Sequence, residues 1–103
     1  MAMDDTVRSV RVLIPAALET LLSGRGRAQR SELCLTAANV RGLLAELERT
    51  EPQVYVRLCD ERGEPRPHIN VFVNDDHVRA RAGLDTPLAT GDLVSILPAV
   101  SGG

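Results

Sequence analysis

Apolar and polar residues alternate with two different periods along this chain, and the changes of period mark its elements. Val10, Val12 and Ile14 take every second position, with Arg11 and Leu13 between them, which predicts a half-buried first strand interrupted by Pro15. Leu18, Leu21 and Leu22 are spaced for a short helical turn or a hairpin arm. Gly24 to Arg30 holds three arginines and two glycines and predicts a mobile loop. Ser31 to Leu35 predicts a second strand, with Leu33 and Leu35 on one face and Cys34 on the other. The period then lengthens: Val40, Leu43, Leu44 and Leu47 fall on one stripe of a helix, with Thr36 as its predicted N-cap. Glu51-Pro52 should end it, because a residue before proline is disfavoured in α geometry.

Val54, Val56 and Leu58 form a further apolar span before Asp60-Glu61-Arg62-Gly63, which has the composition of a turn, and Pro65 and Pro67 keep the connection extended. Period two returns at Ile69, Val71 and Val73. Asn74-Asp75-Asp76 is turn-prone, and His77-Val78-Arg79 reads as a short returning arm. Leu84 to Leu88 predicts a loop with a helical turn, and Gly91-Asp92 a final turn. Leu93 to Leu97 is the last strand, stopped by Pro98, which has no amide donor. Two strands, a helix and two strands, with the helix packed on one sheet face, make an α+β fold of the β-grasp arrangement: a mixed sheet of four to five strands and one main helix.

At 103 residues, 44% of them hydrophobic, the chain has material for one core. The expected organisation is a domain over 1–98 and a flexible tail over 99–103. A net charge of -2, with Tyr55 and Phe72 the only aromatic residues, argues against a nucleic-acid partner. No apolar run approaches the roughly 20 residues that span a bilayer, and Met1 to Thr6 is polar and acidic, so a cytoplasmic protein without membrane attachment is expected. Cys34 and Cys59 lack CxxC spacing and should be free thiols in a reducing compartment. All twelve basic residues are arginine. A chain without lysine offers no side-chain amine to an activated acyl group.

The segment after the last strand carries the strongest chemical hint. Ser101-Gly102-Gly103 ends in two residues without a Cβ, a thin strip able to thread a narrow channel and present a carboxylate. Other constellations are weaker. His68 and His77 with Cys34 and Cys59 include ligand types for zinc, but without i, i+4 or CxxC pairing no metal site is expected. Asp60, Glu61 and Glu64 read as a solvated turn rather than an acid–base pair. Arg25, Arg27 and Arg30 lack the glycine pattern of a phosphate cradle.

The run Ile69-Asn70-Val71-Phe72-Val73-Asn74-Asp75, then Gly91-Asp92, then Ile96-Leu97-Pro98-Ala99-Val100-Ser101-Gly102-Gly103 resembles the ubiquitin-like sulfur-carrier family (ThiS/MoaD). Within it the likeness is greatest to the CysO-type branch, which feeds a thiocarboxylate-dependent cysteine synthase. The resemblance implies a protein cosubstrate, not an enzyme. Its Gly103 carboxylate would be adenylated by a partner that uses ATP, then converted by a sulfur donor to a thiocarboxylate, with no cofactor bound to the carrier itself. Pro98, Ala99, Val100, Ser101 and Gly102 would be the recognised tail, and Ile96 and Leu97, of which one must face outward, the docking contact. The implied partners are an E1-like adenylyltransferase or sulfurtransferase, a sulfur-accepting synthase, and a metallohydrolase that releases the product or frees the tail. Molybdopterin and thiamin carriers share the diglycine, and a ubiquitin-like protein modifier is the alternative of another class.

Overall fold

The computed structural model describes residues 8–23, 27–29 and 31–99. Six strands form one sheet among these residues: β1 (Arg8–Leu13), β2 (Arg27–Gln29), β3 (Glu32–Ala37), β4 (Ile69–Val73), β5 (Asp76–His77) and β6 (Leu93–Pro98), in the order β2-β3-β1-β6-β4-β5. The sheet is mixed, because β1 and β6 run parallel while every other pairing is antiparallel. Two helices, α1 (Val40–Thr50) and α2 (Pro52–Leu58), accompany it, with single turns of 3-10 helix at Val78–Ala80 and Gly83–Asp85 and a longer one at Ala16–Leu21. The β-grasp arrangement is present, with six strands in place of four to five. The strand outside that expectation is the short edge piece β2, while β5 is the returning arm.

The core lies between the sheet and the helices. Val10, Val12, Leu33, Leu35, Val71, Val73, Val94 and Ile96 cover one sheet face, and Val40, Leu43, Leu44 and Leu47 of α1 pack against it, all buried. Period two in the strands and the four-residue stripe in α1 therefore meet, as their spacing predicts.

Three local expectations change, and the apolar span before the Asp60 turn takes a definite form. The cap of α1 is Asn39, not Thr36: Asn39 is extended at φ -152° and its Oδ1 accepts from Gly42 N at 2.8 Å, while Thr36 is still inside β3, opposite Ser9. The span Val54 to Leu58 is helical. Pro52 starts α2 at a first-turn position where its missing N–H costs nothing, Val54, Tyr55 and Leu58 are buried, and Val56 is left 54% exposed. Arg27–Gln29, expected within a loop, pairs with β3 as β2 across a register irregularity; the rest of that loop, at 24–26 and 30, lies outside the described residues. The returning arm is strand only through His77, since Val78 opens a 3-10 turn.

Candidate functional site

Strand β6 occupies the middle of the sheet. Its first half is flanked on both sides, by β1 in the register Arg11 with Leu93 to Leu13 with Ser95, and by β4. β1 then stops. From Ile96 onward β4 alone remains beside it among the described residues, with Val71 opposite Ile96, Asn70 opposite Leu97 and Ile69 opposite Pro98.

The start of β6 is held by residues whose chemistry is local. Gly91 adopts φ +90°, a conformation that suits glycine, and its N–H reaches Ser9 O at 2.9 Å. Asn74, at φ +56°, clasps the strand from the far side of the β4–β5 turn: its Nδ2 donates to Asp92 Oδ1 at 3.1 Å, its Oδ1 accepts from Leu93 N at 3.1 Å, and its own N–H donates to Leu93 O at 2.7 Å. Asp92 Oδ2 accepts from Ala89 N at 2.8 Å and closes the last turn. The Asn74 and Gly91-Asp92 motifs thus fix where the last strand begins.

At its other end Pro98 does not stop the ladder to β4. Ala99 N–H donates to His68 O at 2.7 Å, so alternation turns the proline nitrogen to the opposite side, where β1 has already ended. No donor is missed there, and the absent N–H denies that edge to another strand. Ala99 is exposed and is the last described residue; the expected tail positions Val100, Ser101, Gly102 and Gly103 lie outside the described residues.

The two expected docking residues are separated by the pleat. Ile96 is 1% exposed and belongs to the core, so it supports the strand and offers no surface. Leu97 is partly exposed on the face away from the helices. Register brings Leu13, Ser95 and Phe72 into one row on that face, with Leu97 in the next, and the three apolar side chains are all half-buried. Phe72 meets the His77 ring edge-on at 5.1 Å. His77 is itself fixed: its Nδ1 accepts from Arg79 N at 3.0 Å, which leaves the proton on Nε2, 3.0 Å from Asn70 Oδ1. Leu13 and Phe72 were not singled out from sequence, although the signal is there as apolar residues at outward positions of two strands.

The remaining candidates are dispersed. Cys34 is exposed on β3, Cys59 is buried at the end of α2, and no group of three or more His, Cys, Asp or Glu side chains is gathered for a metal ion among the described residues. Asp60 organises the turn after α2, its Oδ1 accepting from Arg62 N and Glu64 N at 2.9 and 3.1 Å. Those backbone donors hold its carboxyl below the usual carboxylate range. None of the described helices is long and apolar enough to cross a membrane.

The model of the ThiS family matches residues 12–103. The sulfur carrier protein CysO of Mycobacterium tuberculosis is 36% identical over 97 residues, covering 92% of this chain and 99% of that protein. Among solved structures, a chain of the Amycolatopsis orientalis BexX/CysO complex superposes with a TM-score of 0.74 at 34% identity, covering 91% of this chain and 99% of its own. The small archaeal modifier protein 1 of Methanosarcina acetivorans superposes at 0.73 with 30% identity, covering 94% and 98%.

Proposed function

This chain belongs to the ThiS family, and from that premise we propose that it is a sulfur carrier of the CysO kind, loaded at the carboxylate of Gly103. The observation that carries the reading is the hold on the strand that precedes the diglycine in the sequence. That strand lies in the middle of the sheet and its ladder to β4 extends to Ala99, the last described residue, and in the sequence Val100, Ser101 and Gly102 separate Ala99 from Gly103.

The chemistry needs an activated acyl group, since a carboxylate is a poor electrophile. In the proposed sequence the Gly103 carboxylate attacks the α-phosphorus of ATP in a partner, pyrophosphate leaves, and the mixed anhydride with AMP forms. A sulfide-equivalent donor then attacks the acyl carbon and AMP departs, leaving the thiocarboxylate, whose sulfur is passed to an acceptor in the biosynthesis of cysteine or another sulfur metabolite. Nothing in these steps calls on a side chain of the carrier. Its part is to present the tail on a rigid root and to offer a surface, Leu97 with Leu13 and Phe72, against which a partner holds the body. The relative solved as a BexX/CysO complex supports docking of this kind.

The test is intact-mass measurement after incubation with the cognate activating enzyme, ATP and sulfide. Replacement of one oxygen by sulfur, lost on removal of Gly103, is the expected result. The likeness to small archaeal modifier protein 1 favours one second reading, conjugation of Gly103 to lysines of other proteins. Covalent adducts in place of the sulfur exchange would select it. Acceptors in molybdopterin or thiamin synthesis are distinguished by which synthase consumes the loaded carrier.

A further inference from the structure

The hairpin arm after β4 is shorter than the strand it returns along. β5 pairs only with Phe72 and Val73, and at Val78 the chain leaves the sheet, so the outer edge of β4 from Ile69 to Val71 has no strand beside it among the described residues. A groove of about 410 Å³ lies there. Ile69, Val71, Val78 and Leu84 give it an apolar lining, and Pro65 and Pro67 border it.

The ladder to β6 sets the polarity of that edge. Ala99 N–H reaches His68 O and Asn74 N–H reaches Leu93 O, each at 2.7 Å, so even-numbered residues of β4 turn their backbone groups to β6 and odd-numbered ones turn theirs outward. The Ile69 N–H is taken by Arg66 O at 2.9 Å. The Ile69 carbonyl and the Val71 N–H then face the groove. Their spacing is the one at which a single residue of a parallel strand donates to the first and accepts from the second.

Charge adds selectivity. Arg41, Arg66 and Arg79 line the groove against two carboxylates, Glu64 and Asp85, in a chain whose net charge is -2. Asp85 is already engaged by Arg41 at 3.2 Å, and Arg66 is held in place by Val56 O through Nε and Nη2 at 3.1 and 2.8 Å. This is a locally positive, strand-shaped gap on an acidic protein. We infer that it is a docking site for an extended, acidic segment of a partner protein, which adds to the edge of β4 as a parallel strand. Apolar side chains of that segment meet the half-buried Leu84 while its carboxylates meet Arg66 and Arg79. Pro98 lies opposite Ile69 across the ladder, so the groove and the tail root are within two strand spacings, about 10 Å, and one partner can hold both.

The test titrates the ¹⁵N-labelled full chain with an acetylated peptide of sequence Glu-Val-Glu-Val-Asp-Val. Amide shifts at Ile69 to Val71, Val78 and Leu84 are expected, with hydrogen exchange at the Val71 amide slowed on binding. Arg79→Glu, a substitution of an exposed residue that leaves the fold intact, should weaken binding about tenfold, and a peptide with lysine in place of each acid should bind about tenfold more weakly. Shifts confined to Leu13, Phe72 and Leu97 would overturn the proposal. So would inorganic phosphate that reproduces the groove shifts without protecting Val71, or sedimentation showing that a second copy of the chain fills the groove. Binding is read without sulfur loading, so its failure is distinguishable from failure of the carrier function.

Discussion

The carboxylate of Glu51 accepts two hydrogen bonds from Ser23, one from its amide at 2.8 Å and one from its hydroxyl at 2.7 Å, across 28 positions of sequence. Glu51 is only 2% exposed and joins α1 to α2. Its N–H closes α1 on Leu47 O, and its carbonyl accepts from Val54 and Tyr55. One residue thus ends one helix, starts the next and ties both to the segment after the first 3-10 turn. Removing the hydroxyl with Ser23→Ala should cost about 1.5–3 kcal/mol, the range for a hydrogen bond to a charged group, and Glu51→Ala more, since it forfeits both bonds. Urea midpoints of the two variants check the order.

The helix stripe allows a paired comparison. Leu44 is 2% exposed, so Leu44→Ala should destabilise by about 2–5 kcal/mol, whereas Val56→Ala, at a position 54% exposed, should stay within about 0.5 kcal/mol. Equal shifts in urea midpoint would mean that α2 presents a different face to the core.

The two thiols should behave differently. Burial, aided by the neighbouring Asp60 carboxylate, pushes the Cys59 thiol up from 9.0 to about 11, while Cys34 is exposed. Iodoacetamide at pH 8 should alkylate Cys34 in the native protein and reach Cys59 only in denaturant, as peptide mass analysis would show. Between pH 9 and 11 the unfolded chain releases a Cys59 proton that the native state retains. Stability should therefore fall as pH rises through that window, and Cys59→Ala should flatten the fall.

For the carrier role, Leu97→Asp is the informative substitution. It places a charge on the outer sheet face, so activation by the adenylating partner should weaken while the folded spectrum persists. Ile96→Asp should instead unfold the domain, because that side chain is 1% exposed and an unpaired charge there is not tolerated. Kinetics of ATP-dependent activation, measured beside circular dichroism, separate the two effects.

Strong periodicity was readable in the amino-acid order; short or competing signals were not. The α1 stripe and the alternation of β1, β3, β4 and β6 each place at least two residues on the core face, and all of these are buried. α2 escaped because Val54, Val56 and Leu58 mimic a strand in a seven-residue segment; the pattern that decides it is Val54, Tyr55 and Leu58 around Pro52. Thr36 and Asn39 are both cap formers, and pairing of β3 with β1 through Ala37 removes Thr36 from the contest. On the site, alternation requires that one of Ile96 and Leu97 face outward, but which one depends on the register with β4. That Leu13 and Phe72 share its face depends on a sheet order no local pattern specifies.

The central position of β6 has a mechanical consequence. A partner that draws the tail into a channel while holding the body pulls β6 along its own axis, so the ladder bonds to β1 and β4 are loaded together, in shear, instead of one at a time. Unzipping is available only to an edge strand. Under such a pull, resistance to being drawn out would come from many bonds that must fail at once, since the first half of β6 is held from both sides.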